Sequence, residues 1–568
     1  MSQINYNTEM IDDTSPWCFL YHDDAFFSKE GRLMGRHAAG LAYLRAIAES
    51  EYSQTGVIIK ENDKENFLKL FKSLLGNDQK KSIDAFPFNA PHLSKKYGGI
   101  FLGDPRVGHY SFLRSKFSHD AYSIVGITHT TMSKGIMDFI QDLTFKPVKD
   151  WDALICTSNC VKDTILKLIE INEEFLKNKF SIKGDLIRPE LPIIPLGVHT
   201  QDYNFNNQSK IDARELLNIG SDDIVLVFVG RLSFHAKAHH FPMYKALQEI
   251  SKKNKGGQKI HLIQAGWFAN DYIGKTMQEE AKLLCPDVSC HFLDGRNQSN
   301  KFSALACADI FISLSDNFQE TFGLTPLEGM ASGLPVVVTD WNGYRDTVRN
   351  NIDGFCISTT SLQPGNAEDL AFSYFSEHLN YDQYLSYSSQ RVAVNIGECI
   401  EKIHTLINNK DLRLKMGNEG KRRAKLTFEW SEVLKSYSDL RLELDKKRSK
   451  NKDSLSNNIN FINEYDLFNL FENYPTNHLK KSTKLKANIK SILDEDHYIF
   501  NSPSIHVGSL NGLNLVPDIK QINSIISLLV KKELFIKDIQ LKVDYDNQTL
   551  MKILIFMLKF DLIIIVSE

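Results

Sequence analysis

Two carboxylates with seven residues between them, Glu320 and Glu328, frame the segment of this chain richest in chemical possibility, ETFGLTPLEGMASGLPVVVTD at 320–340. Pro326 is suited to begin a helix there, with its missing N–H at a position that needs none. The backbone amides of Phe322, Gly323, Leu324 and Thr325 would then point outward at the helix N-terminus, a natural seat for a phosphate. Ionised carboxylates on either side accept hydrogen bonds from hydroxyl groups and fix their orientation. A second segment, FVGRLSFHAKAHH at 228–240, offers Arg231 and Lys237. A guanidinium grips two phosphate oxygens at once, and an ammonium adds a point charge.

These residues need a scaffold, and the hydrophobic pattern supplies one. From Trp17 to about Val198, apolar runs alternate with helical stretches: WCFLY, a helix near His37 to Glu49, TGVII, a helix near Glu65 to Leu75, AYSIVGIT, a helix beginning near Ser133, ALICTS at 153–158, a helix from Asn159, and LPIIPLGV. The alternation restarts at IVLVFVG (224–230) and continues through HLIQAG, VSCHFL, DIFISL, PVVVTD and FCIST. Near-continuous apolar strands separated by helices predict βαβ units and parallel sheets buried on both faces. The pattern therefore predicts an α/β protein with two doubly wound domains, 1–205 and 206–445, facing a cleft. Ligands of such sheets sit beyond the carboxyl ends of the strands, where Arg231 and Glu320 fall.

Helical periodicity in 428–444 closes the second series, and the polar tract 446–460 reads as a linker. Residues 461–568 have a different texture. Their last part follows the order helix, helix, helix, strand (Gln521 to Lys532, Ile536 to Val543, Gln548 to Lys559, Leu562 to Val566), which resembles a winged-helix domain. The third helix, QTLMKILIFMLK, is almost wholly apolar, whereas a groove-reading helix needs cationic and amide side chains. Protein association through 461–568 is the expectation, with no nucleic acid.

Composition agrees. The 568 residues are 42% hydrophobic and 24% charged, with 67 Lys and Arg against 70 Asp and Glu, so no basic excess advertises a polyanion partner. The eight cysteines show no C-x-x-C pair, which points to a reduced, cytoplasmic setting. No basic-then-apolar leader follows Met1, and the apolar tract 550–566 is interrupted by Lys552, Lys559 and Asp561. At most peripheral membrane contact is expected.

The 320–340 segment resembles the E-x7-E signature of retaining glycosyltransferases of family 4, the glycosyl transferases group 1, which have the GT-B fold. The surrounding F-G, P-L-E and A-S-G-L-P-V-V carry the likeness beyond the paired glutamates. The 228–240 segment is similar to the family's G-R-L-x-x-x-K loop, with one extra residue before Lys237. GRLMGRHAAG (31–40) resembles its N-terminal glycine loop, with Gly35 at the close-approach position. SIVGITHTT (123–131) looks like the strand end bearing its active-site histidine, here His129. LPIIPLGVH (191–199) resembles the segment near its hinge, with Leu196 where Asn is usual, and F-E-W at 428–430 matches the start of the closing helix. The likeness covers about residues 15–445.

The resemblance implies that Arg231 and Lys237 hold the diphosphate of a nucleotide sugar, the co-substrate, in place of a metal. No Asp-x-Asp motif stands at a suitable strand end, and no other cofactor is implied. It gives Glu328 the donor ribose and Glu320 the transferred sugar. The implied reaction is hexosyl transfer with retention to a saccharide, lipid-linked or small-molecule acceptor, by front-face displacement, since no second carboxylate presents itself as nucleophile. Two other readings stay open: a non-catalytic GT-B subunit that binds a partner protein, and a nucleotide-sugar epimerase. His235 and His239, four apart, would share one helical face, but no carboxylate or cysteine completes a zinc set.

Overall fold

The computed structural model describes residues 15–22, 35–75, 81–253, 257–450, 466–505 and 516–566. The chain divides into a large unit, Met1–Ile462, and a small one, Asn463–Glu568.

The large unit holds two six-stranded parallel sheets. The first is built from β1 (Cys18–Leu20), β2 (Gln54–Ile59), β3 (Ser82–Pro87), β4 (Gly99–Phe101), β5 (Ser123–Ile127) and β6 (Ala153–Ile155), in the order β3-β2-β1-β4-β5-β6. The second has β7 (Ile224–Val229), β8 (Ile260–Gly266), β9 (Ser289–Asp294), β10 (Ile310–Ser313), β11 (Val336–Thr339) and β12 (Gly354–Ile357), ordered β12-β11-β10-β7-β8-β9. Read from the other edge, the second order repeats the first. Each sheet reverses direction of winding once, between β1 and β4 and between β7 and β10. These switch points, at the carboxyl ends of the strands, are where doubly wound folds bind ligands.

Burial on both faces explains the apolar runs. Along β7, Val225, Val227 and Val229 enter one core while Ile224, Leu226 and Phe228 enter another. In β1, Phe19 joins the first core, and Cys18 and Leu20 join a third. Successive side chains of a strand point to opposite faces, so each needs its own apolar partner layer.

The segment LPIIPLGV does not form the expected strand. It runs beside β6 and makes only isolated bridges, Cys156 to Ile193 and Val198 to Glu429, after one at the preceding Glu190 to Ala153. Pro192 and Pro195 have no N–H to give a continuous ladder. Two strands, the six-residue β3 and the three-residue β4, escaped the sequence pattern, as did a small antiparallel pair, Thr359–Ser361 with Val392–Val394. The strand β4 has three residues, too few to show a period.

The final helix of this unit runs Trp430–Lys450, five residues into the stretch read as linker, and 451–460 lies outside the described residues. Although it follows the second sheet in sequence, it lies against the first. Tyr437 packs 5.5 Å from Phe101, and the Tyr52 hydroxyl meets Ser438 Oγ at 2.8 Å. The chain thus crosses between the halves twice, near 197–206 and near 424–430. The crossings touch: Val198 N–H donates to Phe428 O at 2.7 Å. At Gly197 an added Cβ would lie 2.4 Å from Trp430 Cδ2, so only glycine lets the crossings meet this closely.

In the small unit, helices Ile519–Leu529, Ile536–Gln540 and Asn547–Lys559 precede a strand, Ile563–Ile565, in the expected order. That strand and Leu534–Phe535 flank Lys484–Ala487 in a three-stranded antiparallel sheet. Leu550, Ile553, Leu554 and Met557 are buried in the unit's own core, which accounts for the apolar third helix. Among the described residues no helix is long and apolar enough to cross a membrane.

Candidate functional site

A cavity of about 380 Å³ opens over the switch point of the second sheet. Its walls include Gly35, His129, Arg231, Lys237, Glu320, Phe322, Gly323, Leu324, Thr325 and Glu328, every residue singled out from the sequence. The walls come from several segments, and those segments are tied together.

Strand β7 ends at Val229, and Gly230 turns the chain at φ 143° to present Arg231. One guanidinium nitrogen donates to Ala236 O at 2.8 Å and to Gln319 Oε1 at 3.3 Å, leaving the rest of the fork for a ligand. Residues 234–237 form turns, so His235 and His239 do not share a helical face. The loop after β10 meets this one: Asn317 Nδ2 donates to His235 O at 2.8 Å, and Ser315 Oγ to Lys237 O at 3.0 Å.

Lys237 Nζ forms an ion pair with Glu320. Burial acts to raise the Glu320 pKa, but the Lys237 ammonium and the N–H groups of Phe322 and Thr321 outweigh it, and the carboxyl is held below its ordinary range. For Lys237, burial acts to lower the pKa and the Glu320 charge outweighs it, so the ammonium is held above its ordinary range. Both remain charged, each because of the other. The Phe322 amide, expected to face a phosphate, instead lies 3.4 Å from Glu320 Oε1 and helps to orient that carboxylate.

The helix Leu324–Ala331 begins at Gly323, whose φ of 94° and ψ of 72° place it in the left-handed region. A Cβ there would lie 2.2 Å from Tyr344 Cε1, so the turn that aims the helix at the cavity requires glycine. First-turn amides have no intrahelical acceptor, and those of Leu324 and Thr325 are in this first turn. On the same helix Glu328 Oε1 accepts from Lys301 Nζ at 2.9 Å. Its Oε2 is buried without a hydrogen-bond partner among the described residues, and the Tyr203 ring lies 5.6 Å from the same ammonium.

The first half contributes His129, just past β5. Burial drives its pKa down to about 4, so the imidazole is neutral at physiological pH. Its carbonyl accepts from Thr321 Oγ1 at 3.0 Å, a direct link across the cleft beside Glu320. Gly35 opens the helix Gly35–Glu49 and lines the cavity. A Cβ there would find nothing within 4 Å, so the approach beside it is open. Residues 31–34 of the glycine loop lie outside the described residues.

Lys301, Tyr203, Gln319 and Trp267 were not singled out from the sequence. Trp267 follows β8 directly, so the rule that ligands sit beyond strand ends could have found it. Lys301 lies in the helix Gln298–Cys307, within no motif, and its contacts with Glu328 at 2.9 Å and with the Tyr203 hydroxyl at 3.3 Å give it a role.

Residues 209–371 match the family model described as glycosyl transferases group 1. The chain is 25% identical over 286 residues to a putative glycosyltransferase, EpsD, of Bacillus subtilis, covering 49% of this chain and 65% of EpsD. It is 23% identical over 208 residues to the uncharacterized glycosyltransferase MJ1607 of Methanocaldococcus jannaschii, covering 34% and 48%. The chain therefore spans between about half and two thirds of these relatives. Among solved structures, HepE of Anabaena in complex with UDP and glucose aligns over 75% of this chain and 98% of its own, at 13% identity and a TM-score of 0.45.

Proposed function

We propose that this protein is a retaining, metal-independent glycosyltransferase of family 4. It would move a hexosyl unit from a nucleoside-diphosphate sugar to a hydroxyl of a saccharide, lipid-linked or small-molecule acceptor. One observation carries the reading. Two cations, a helix N-terminus and two carboxylates meet in one cavity at a switch point, with a neutral histidine delivered from the opposite half. The group 1 match, which covers Arg231 to Glu328, supports the same conclusion.

In this reaction the bond between the anomeric carbon and the diphosphate oxygen breaks, and its electron pair leaves with the phosphate. The acceptor oxygen bonds to the same face of the sugar, and its proton passes to the departing phosphate oxygen. Negative charge grows on the leaving group, where Arg231, Lys237 and the 324–331 helix amides stabilise it without reorganising. Glu320, kept ionised by Lys237, orients the sugar hydroxyls. Glu328 receives the ribose hydroxyls on its unpaired Oε2. The His129 ring is neutral and able to donate to or accept from the transferred sugar. A reduced, cytoplasmic setting fits the eight free thiols.

The test is release of nucleoside diphosphate on mixing donor and acceptor, after a melting-temperature screen with UDP, GDP, ADP and dTDP identifies the base. Glu328→Ala and Arg231→Ala each abolish release if the reading is right. Donor converted with no acceptor present to an isomeric nucleotide sugar would instead establish an epimerase.

A further inference from the structure

Between β12 and the helix Ile396–Asn408 the chain leaves the second half on an excursion and returns to where it left. Its two ends pair as antiparallel strands, Thr359–Ser361 with Val392–Val394, and the Asn395 N–H donates to Ser358 O at 3.0 Å. Two helices fill it, Glu368–Phe375 and Tyr381–Ser389. Asn380 and Gln383 cap the second helix reciprocally, and the Tyr374 and Tyr384 rings stack at 4.3 Å to hold the two helices together. The group 1 match ends at residue 371, so the second helix lies beyond it.

That helix packs onto both loops that build the site. Leu385 is buried against Met132, three residues past His129 in the first half, and against Ala236, which lies between Arg231 and Lys237 in the second. Tyr381 and Tyr384 pack on the same cluster, and Asp382 Oδ1 lies 4.0 Å from His235 Nε2. Tyr381, the first residue of the helix, thereby comes beside Arg231 and Thr130, which both line the cavity. Burial acts to lower the Arg231 pKa, while Asp382, Tyr381 and Glu320 act to raise it. For Tyr381, burial raises the phenol pKa and outweighs the opposing influence of Thr130 and Arg231, so the ring keeps its proton.

The Tyr381 hydroxyl is buried without a hydrogen-bond partner among the described residues, and so is that of Thr130. The two are neighbours without meeting hydrogen-bond geometry. A buried O–H that lacks an acceptor is costly. Arg231 cannot supply one, because a guanidinium has five donors and no lone pair to offer. An anionic oxygen gripped by Arg231 can, since it accepts from a guanidinium and a phenol together.

We infer that Tyr381 is a further donor-binding residue, whose hydroxyl donates to the distal phosphate of the nucleoside diphosphate held by Arg231. The inference rests on the transferase reading above. The distal phosphate is the one chosen because Tyr381 neighbours Thr130 as well as Arg231, and Thr130 follows His129, the residue that meets the sugar in that reading. As the sugar departs, negative charge grows on this phosphate, and a bond from a neutral phenol to it strengthens.

Isothermal titration with the nucleoside diphosphate and monophosphate of the base found by the melting screen compares three proteins. They are wild type, Tyr381→Phe, which removes only the hydroxyl, and Tyr384→Phe, which removes a hydroxyl about one turn along the same helix. Tyr381→Phe weakens diphosphate binding about tenfold, the worth of one hydrogen bond to a charged group. It leaves monophosphate binding unchanged, lowers kcat/KM for the donor by at least tenfold, and does not lower the melting temperature without ligand, since the lost hydroxyl had no partner. Tyr384→Phe binds both nucleotides as wild type does. If wild type binds no nucleotide, the transferase reading has failed and the inference with it. If wild type binds the diphosphate and Tyr381→Phe binds it equally well, loses both nucleotides alike, or melts several degrees lower without ligand, the transferase reading stands and Tyr381 is a packing residue.

Discussion

Lys237 and Glu320 close an ion pair at the switch point of the second sheet, the lysine from the loop after β7 and the glutamate from the loop after β10. Their side chains are only 19% and 11% exposed. In the proposed reaction, a pair held this way keeps the charges assigned to phosphate and sugar formed before any ligand arrives. That is the preorganisation on which electrostatic catalysis depends.

Replacing one partner strands the other. Lys237→Met leaves the Glu320 carboxylate largely buried without its cation, which costs on the order of 3 kcal/mol of stability and lowers kcat by about 10²–10³-fold. The double variant Lys237→Met, Glu320→Gln recovers much of the stability and none of the activity. Denaturant melts of the four proteins in the cycle check the first statement, and nucleotide-release assays the second. The pH dependence has a definite form. The lowered Glu320 pKa gives stability that is present above its ordinary value of 4.5 and lost as pH falls through the folded value. The raised Lys237 pKa gives stability present below 10.5 and lost as pH rises through its higher folded value. The pair's contribution is therefore flat between those limits.

His129 gives a signature of the same sign as Glu320, at higher pH. Its folded pKa of about 4 lies below the ordinary 6.5, so between the two values the unfolded chain binds a proton that the folded protein does not. Stability is complete above 6.5 and falls as pH drops towards 4, by about 3 kcal/mol in all. His129→Gln flattens that part of the stability curve, measured by urea melts from pH 4.5 to 7.5. The wild-type rate between pH 6.5 and 8 shows no ionisation of this ring.

What the sequence revealed and what it hid follow from the range of the interactions. The strands of the second sheet were legible because burial on both faces demands unbroken apolar runs, as in IVLVFV of β7. Arg231, Glu320 and Glu328 were legible because they lie at strand ends or helix starts within short, distinctive segments. Lys301 was not, because its partner Glu328 is 27 residues away and nothing local marks a lysine on a helix as facing inward. The Asp104–Arg106 ion pair was hidden too, since β4 is only three residues long and its following loop carries no periodic signal. Pairing of the 430–450 helix with the first sheet spans some 390 residues, as in the Tyr52 to Ser438 contact, and no local pattern encodes it.

Lys301 and Glu328 make a separable prediction about nucleotide affinity. If the Oε2 of Glu328 accepts from the ribose, Glu328→Ala weakens nucleoside diphosphate binding by about 1.5–3 kcal/mol, the loss of charge-assisted hydrogen bonds. Lys301→Met leaves the carboxylate free of its cation and weakens binding less, by removing only the orientation of Glu328. Isothermal titration with the cognate nucleotide ranks the two, and equal affinities for wild type and Glu328→Ala would contradict the ribose assignment.

At the crossing of the halves, Gly197→Ala drives a methyl group to within 2.4 Å of Trp430. Neither neighbour can yield easily, because Trp430 is buried and packs 6.0 Å from Tyr43. Overpacking of this kind costs about 1–3 kcal/mol, and a melting-temperature decrease of several degrees is the expected readout. Gly35→Ala, where a Cβ meets nothing within 4 Å, serves as the control and leaves the melting temperature close to that of wild type.

Across the cleft, the bonds of Asp346 can be cut without touching the cavity. Asp346 of the second half accepts from the Asn159 backbone N–H at 2.7 Å and from its side-chain amide at 2.8 Å. Asn159 begins the long helix Asn159–Phe180 of the first half, so the carboxylate also faces the positive end of that helix. Ser158 Oγ adds a bond to Thr321 O at 2.9 Å. Hydrogen bonds to a charged group contribute about 1.5–3 kcal/mol, and exposure of this pair places it at the lower end. Asp346→Ala therefore shifts the balance between closed and open forms by about tenfold towards open. Small-angle scattering of the variant shows a larger radius of gyration than wild type without ligand, and saturating nucleoside diphosphate restores the compact form if, as proposed, its phosphate is held by the second half while the His129 loop of the first meets its sugar. The donor KM rises while kcat at saturation changes little, since a closed complex, once formed, has every catalytic side chain in place. Identical scattering of variant and wild type would show that the Asp346 to Asn159 bonds do not set the balance between the two forms.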